Sequence, residues 1–265
     1  MSQRYKVSGI MPCFNHGEFL TEAVASVTNV KGDDIELVVV DDGSTDERTH
    51  WEIDRLCTLG IKVIRQENKG LAAARNAAVK ASRGEYLFPL DADDRMRSGW
   101  IDRGIGILDS QPQVGVLYGD AQLFGVRTDV WKTGTFDADR LLERNYICCS
   151  ALYRRVVWEQ NGGYDGTMPV QGYEDWDFWV GAWEHGWEFA YLPEPFFDYR
   201  RSGESMLTHA EKFEAEVHEF VARKHGRLYR SWKLRRLYRD IRFRLKHPIA
   251  QALRRLRSSE RPLAK

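Results

Sequence analysis

Ile35-Glu36-Leu37-Val38-Val39-Val40 runs directly into Asp41-Asp42-Gly43-Ser44-Thr45-Asp46, and this stretch decides the fold. The first six residues suit a strand buried on both faces, as in parallel sheets covered by helices. In an open parallel sheet, ligands bind beyond the carboxyl ends of the strands, which is where Asp41 and Asp42 fall. Asp-Gly-Ser-Thr-Asp also suits a turn that caps a helix, and Asp46 is read chiefly that way. Asp41 and Asp42 fit that reading less well, because adjacent carboxylates repel unless their surroundings offset the charge.

Working outward, the pattern repeats. Val7 to Pro12 reads as a first strand, and Phe19, Leu20, Ala23, Val24 and Val27 recur at helical spacing before the second. Lys62 to Gln66 is a third strand, an Ala-rich helix covers Leu71 to Ser82, and a fourth strand spans Tyr86 to Leu90. Strands alternating with helices predict an α/β domain with a mostly parallel sheet flanked by helices. Beyond it the sequence predicts a helix at Trp100 to Ser110, a strand at Val114 to Tyr118 and an irregular stretch from Gly125 to Asp139. A short helix at Arg140 to Asn145, a strand at Ile147 to Tyr153 and a tryptophan-rich helix from Glu174 follow. Everything past His209 reads helical, with an apolar stripe at Leu234, Leu237, Tyr238, Ile241 and Leu245, then Ile249, Leu253 and Leu256 after Pro248.

A second carboxylate cluster ends the fourth strand: Asp91-Ala92-Asp93-Asp94. Three carboxylates at the mouth of a buried strand concentrate negative charge where desolvation penalises it, and a divalent cation would relieve that cost. Mg²⁺ typically takes one or two protein carboxylates and completes its shell with water and substrate phosphates. Asp91 and Asp93 can converge on one ion where the chain turns, although an Asp-x-Asp alone is weak evidence. Glu174-Asp175-Trp176-Asp177 opens the tryptophan-rich helix, where acidic residues also complement a helix dipole.

These blocks, taken together and in order, resemble glycosyltransferase family 2, whose catalytic domain has the GT-A fold. The blocks are Ile10-Met11-Pro12-Cys13-Phe14-Asn15 with Leu20, Val40 to Asp46, Asn68-Lys69-Gly70-Leu71-Ala72-Ala73-Ala74-Arg75-Asn76, Gly84-Glu85-Tyr86 into Leu90 to Asp94, Gly163-Tyr164-Asp165, and Gly172 to Asp177. The likeness spans about Lys6 to Met206. It implies a catalytic domain over 1–208, with a nucleotide-sugar part at 1–119 and an acceptor part at 120–208, followed by a helical basic extension at 209–265.

By that resemblance, Pro12 to Asn15 closes the first strand beneath the nucleotide, Asp42 reads the base as a uracil N3–H acceptor, and Asp41 supports it. Gly70 precedes a helix whose N-terminal amides, with Arg75, face phosphate; Arg75 also reads simply as a surface helix arginine. Asp93 resembles the direct ligand of Mg²⁺ or Mn²⁺, and Asp91 the residue that holds the ribose or a metal-bound water. Asp175 matches the general base of an inverting transfer from a nucleotide sugar to a saccharide or lipid-linked saccharide acceptor, with Glu174, Trp176 and Asp177 orienting base or acceptor. Trp131, Tyr146, Trp176 and Trp179 are candidates to stack on a sugar, each weighed against an ordinary core role. Many relatives carry a histidine where Tyr199-Arg200-Arg201-Ser202-Gly203 has Ser202, which leaves the third protein ligand open.

The net charge of zero conceals an asymmetry. Residues 223–265 carry sixteen Lys or Arg against two acids, while 1–222 carries twenty-three against thirty-seven. An apolar stripe beside dense basic charge suits anionic lipid, so the tail is expected to dock the enzyme on the inner face of the plasma membrane. The competing reading is a solvated basic helix against the acidic body. No apolar run reaches the roughly 20 residues a spanning helix needs, and the polar N-terminus predicts no signal peptide, so the protein is expected in the cytoplasm. The four cysteines, Cys13, Cys57, Cys148 and Cys149, read as reduced packing residues. A nucleic-acid-binding reading of the tail ranks low because strand-end carboxylates would repel phosphates, so no nucleic acid is expected. A nucleotidyltransferase lacks a Gly-rich, Lys-containing loop after the first strand.

Overall fold

The computed structural model describes residues 5–30, 35–202 and 211–246, with side chains only to 239 in the last helix. Its elements separate into two compact units, Met1–Val221 and Ala222–Lys265.

The first unit is built on one sheet. Strands β1 (Val7–Cys13), β2 (Ile35–Asp42), β3 (Lys62–Gln66) and β4 (Tyr86–Pro89) run parallel in the order β3-β2-β1-β4. Every residue of β1 and β4 is buried, as continuous apolar strands covered on both faces must be. Helices α1 (Gly17–Thr28), α2 (Glu47–Thr58) and α3 (Leu71–Ala81) make the crossovers. Helix α1 buries Leu20, Ala23, Val24 and Val27, the face its periodicity predicts. Helix α2 starts at Asp46, whose side chain accepts from Thr49 N at 2.8 Å, so that aspartate is a cap. The two helices meet at Gly17, whose amide donates to Thr49 Oγ1 at 2.7 Å.

Beyond β4 the sheet becomes mixed. After the two-residue β5 (Arg95–Met96) and α4 (Ile101–Ser110) come β6 (Val114–Gly125), β7 (Val130–Trp131), α5 (Ala138–Glu143), β8 (Leu152–Arg154), α6 (Arg155–Asn161), α7 (Glu174–Glu184) and β9 (Glu188–Arg201). The order continues β4-β8-β6-β9-β5, with β8 antiparallel to both neighbours and β7 paired to β6. Among the described residues the sheet has nine strands.

Two expectations change here, and one strand appears that the sequence did not predict. The strand expected at Ile147 to Tyr153 is only Leu152–Arg154. Its register places Leu87 opposite Tyr153, so the next positions would set Ala151 against Pro89, which has no amide hydrogen to give. Strand β6 continues past Tyr118 to Gly125, because buried Asp120 is satisfied by Thr133 N and Tyr191 Oη rather than ending the strand. Strand β9 escapes sequence reading because Pro193 and Pro195 interrupt it. The sheet accommodates them with irregular register between β6 and β9, where Asp120 faces Pro195.

A short 3-10 turn at Glu211–Phe213 leads into α8 (Glu214–Lys224), and α9 (Gly226–Lys246) forms most of what is described of the second unit. The expected apolar positions Ile249, Leu253 and Leu256 lie outside the described residues, as does the segment around Met206. No helix among the described residues is long and apolar enough to cross a membrane.

Candidate active site

The carboxyl ends of β1, β2 and β4 face one another because these strands are adjacent and parallel, and that adjacency assembles the site. Pro12 is buried at the end of β1, paired in register with Val40. Asn15, just after it, holds a left-handed φ of 55° and acts as a staple. Its Oδ1 accepts from Thr45 N at 2.7 Å and from Asp46 N at 3.3 Å, and its amide donates to Ser44 Oγ at 3.0 Å. Asp41 Oδ1 accepts from Ser44 N at 3.0 Å, so the loop after β2 is fixed from both sides.

Asp42 is buried and reaches across to the loop after β3. Its Oδ1 accepts from Gln66 Nε2 at 2.7 Å and Lys69 N at 2.9 Å, and its Oδ2 from Gly70 N at 2.8 Å. A carboxylate has about four acceptor sites, so three are filled and one is left. Gly70 caps α3 with a φ of 85°, a conformation that disfavours any side chain. The amides before and at the start of α3 are therefore engaged by the chain: Lys69 and Gly70 by Asp42, and Leu71 by Gln171 Oε1 at 3.3 Å.

Arg75 differs most from expectation. It is not a surface arginine: only 1 % of its surface is exposed. One guanidinium nitrogen donates to Glu174 Oε1 and the other to Asp91 Oδ1 at 2.7 Å. Burial opposes its charge, yet Asp91 and Glu174 hold its pKa well above the ordinary arginine value. The physical reason is that two carboxylates from distant segments converge on the interior face of α3, and only a buried cation can offset them.

Asp91 is half-buried, with Arg75 on one oxygen and the Cys149 thiol 3.7 Å from the other. Asp93, also half-buried, has no side-chain donor among the described residues, and burial followed by the charge of Asp91 raises its pKa. Asp94 points inward, accepting from Arg200 N at 2.8 Å, and burial followed by Asp93 and Asp91 pushes it well above the carboxylate range. The ends of β4 and β9 are tied further by Arg200 Nε, which donates to the Asp93 carbonyl at 2.8 Å. Among the described residues no group of three His, Cys, Asp or Glu is placed to hold an ion alone. Asp91 and Asp93 fit an open site for a hard divalent ion: an under-compensated pair of oxygen ligands that leaves most of the shell to substrate.

Asp175 sits in the first turn of α7, almost fully buried. Burial, then the neighbouring charge of Glu174, pushes its pKa up to about 7, against the opposing pull of Arg75 and a hydrogen bond from Asn145. Its Oδ1 accepts from Asn145 Nδ2 at 2.9 Å and Trp176 N at 2.8 Å, and Oδ2 takes no hydrogen bond from a described residue. Glu174 Oε2 accepts from Gly172 N at 2.9 Å. The result is a continuous chain of contacts from the strand-end carboxylates to the candidate base: Asp91 to Arg75 to Glu174, whose neighbour in sequence is Asp175.

Trp176 orients Asp175 through its backbone amide; its ring is fully buried, with Nε1 donating to Leu141 O at 2.6 Å. Trp179 and Tyr146 are likewise core side chains, so of the four candidate sugar platforms only Trp131 keeps a partly exposed ring. Asp177 is buried in the first turn of α7. Asn145 is a site residue that sequence reading misses, because an isolated Asn after a short helix carries no pattern. Cys148 and Cys149 are unbridged, as are Cys13 and Cys57.

Comparison with known proteins follows the same lines. The protein-family model described as glycosyl transferase family 2 matches residues 8–168. A PGL/p-HBAD biosynthesis glycosyltransferase of Mycobacterium bovis is 32% identical over 173 residues, covering 64% of this chain and 66% of the relative. A glycosyltransferase of Nostoc, itself uncharacterised, is 35% identical over 43% of this chain and 36% of its own length. The chain thus spans about two thirds or less of the length of these relatives. Among solved structures, S. aureus TarS in complex with UDP-GlcNAc superposes with a TM-score of 0.62 at 22% identity, over 77% of this chain and 61% of that one. A Pyrobaculum calidifontis mannosyltransferase in complex with GDP-mannose and Mn²⁺ gives 0.63 at 19% identity, over 84% and 65%. At these identities the structural matches speak to the shared GT-A fold.

Proposed function

Because the chain belongs to glycosyltransferase family 2, we propose that it transfers a sugar from a nucleotide diphosphate sugar, a UDP-sugar in the first instance, to an acceptor hydroxyl with inversion at the anomeric carbon. The observation that carries this reading is Asp175: a buried carboxyl pushed up to about 7, fixed on one oxygen by Asn145 and Trp176, at the end of a contact chain from Asp91. A base poised near neutral pH combines a useful ionised fraction with enough basicity to take a hydroxyl proton.

In the proposed step Asp175 Oδ2 takes the acceptor hydroxyl proton as that oxygen bonds to the anomeric carbon. The bond from that carbon to the β-phosphate oxygen breaks, and the nucleoside diphosphate leaves with the electron pair. Asp42 has one acceptor site for a base N–H, and Asn15 and Asp41 hold the loop beside it. Asp93 and Asp91 would hold Mg²⁺ or Mn²⁺, which when bound neutralises charge on the departing diphosphate. The metal and nucleotide sugars carried by the solved neighbours support this choice of ligands. Glu174 fixes the base loop through Gly172 N.

The acceptor belongs to the saccharide or lipid-linked saccharide class, in bacterial surface polysaccharide or glycolipid assembly. Helix α9 would bring the enzyme to the inner face of the plasma membrane. Leu234, Leu237 and Tyr238 lie on one helical face and are exposed, with Arg230, Lys233, Arg235, Arg236 and Arg239 around them. Such a face favours an anionic lipid surface. Full-length protein should sediment with phosphatidylglycerol vesicles and Leu234→Ser with Leu237→Ser should not; equal sedimentation refutes the docking.

The catalytic reading is tested by screening nucleotide sugars with Mn²⁺ or Mg²⁺, scored by thermal shift and slow donor hydrolysis. A nucleoside diphosphate product and loss of metal-dependent binding in Asp93→Ala are expected. Pyrophosphate as product, or metal-dependent binding unchanged in Asp93→Ala, would overturn it.

A further inference from the structure

We propose that Arg75 is a positioning residue that ties the donor side of the cleft to the base, holding Asp91 and Glu174 at once so that Asp175 is set against the donor. This rests on the reading of Asp175 as the base. The guanidinium is almost fully buried and bonded to a carboxylate at each terminal nitrogen, while Nε has no hydrogen-bond partner among the described residues. Its two partners come from segments 16 and 99 residues away in sequence. Glu174 is in turn anchored by Gly172 N, so Arg75 fixes the whole turn from which Asp175 emerges.

The arrangement has an electrostatic consequence. Asp175 is flanked on its own helix by the carboxylates of Glu174 and Asp177. Arg75 on α3 is the buried cation that offsets Glu174, and Asn145, from the loop after α5, is a neutral donor. From α8, His218 lies against the Trp176 ring, 5.8 Å between centroids, with Nε2 3.2 Å from the Leu142 carbonyl. Near Asp91, the Cys149 thiol is held protonated by its contact with Cys148 and by burial. Removing the Arg75 charge therefore leaves Glu174 uncompensated beside the base, and the base protonates at higher pH. Because the same guanidinium holds Asp91, a shift on the donor side is felt at the base.

The test is the pH dependence of kcat at saturating donor and Mn²⁺ for the wild type, Arg75→Met, Arg75→Lys, Glu174→Gln and the Met/Gln double variant. The wild type should lose activity below about 7. In Arg75→Met that limb should move up by about one pH unit, so that kcat at pH 7 falls about fivefold from protonation alone. Arg75→Lys should keep the limb near its wild-type position with a lower plateau. If Arg75→Met does not fold, Glu174→Gln is compared with the double variant, where the carboxylate at 174 is gone and a smaller upward move, from loss of the direct pull of Arg75 on Asp175 alone, is expected. A limb that stays in place when Arg75 is removed in either background overturns the proposal. A wild type with no acid limb between pH 6 and 8 instead overturns the base assignment, so the two failures are distinguishable.

Discussion

Replacing Asp175 with Asn will stabilise the fold at alkaline pH. Burial and Glu174 raise this carboxyl from 3.8 to about 7, so the folded protein binds its proton more tightly than the unfolded chain does. The sign follows from that difference: below about pH 4 both states are protonated and nothing is lost, and between about pH 4 and 7 the unfolded chain releases this proton while the folded state keeps it, so stability falls as pH rises. Above pH 7 the full cost is about 4 kcal/mol, from roughly three pH units at 1.36 kcal/mol each. Asn keeps an oxygen for Asn145 and Trp176 N and never ionises, so the variant escapes this cost. At about 2 °C per kcal/mol for a chain of this size, its melting temperature at pH 8 should exceed the wild type's by roughly 8 °C. At pH 5 the cost shrinks to about 2 kcal/mol, and the difference should shrink with it. The assay is thermal unfolding followed by circular dichroism in metal-free and nucleotide-free buffer at both pH values. A variant no more stable than wild type at pH 8, or equally stabilised at both, would refute the assignment of a raised pKa.

Further outcomes follow from other parts of the site. Asn145→Ala removes a hydrogen bond that favours the ionised base, so its acid limb should move above 7 and its kcat at pH 7 should fall several-fold; an unchanged pH profile would contradict this. Gly70→Ala should weaken donor binding and lower stability by about 1 to 3 kcal/mol, because its φ of 85° and Gln171 Nε2, 2.7 Å from the new methyl, both oppose a side chain. Gly17→Ala sets a methyl 2.5 Å from the Thr49 backbone, so α1 and α2 must separate; a loss of about 1 to 3 kcal/mol in urea unfolding is expected, and wild-type stability would show that the helices yield freely.

The sequence was most legible where a local pattern determines the structure. Strands β1 to β4 are apolar runs alternating with helices, so their parallel direction followed from the alternation and the carboxylates after β2 and β4 could be placed at strand ends; the pairing of β1 with β4, two βα units apart, could not be read that way. Asp46 could be read as a cap because capping is decided within three residues. Arg75 could not be read correctly, since the carboxylate that buries it lies 99 residues away and α3 has no other mark distinguishing an inward arginine from a surface one. The same holds for Asn145. Tryptophans suited to a sugar platform by type were claimed by the core, Trp176 and Trp179 each donating to a backbone carbonyl. Strand β9 was hidden by prolines that only an irregular register can hold.

One experiment bears most directly on the whole account: sugar transfer by Asp175→Asn, measured beside its Mn²⁺-dependent binding of the donor. Binding close to wild type with transfer reduced at least a hundredfold is the predicted result. Transfer at the wild-type rate by a variant that can no longer accept a proton would contradict it.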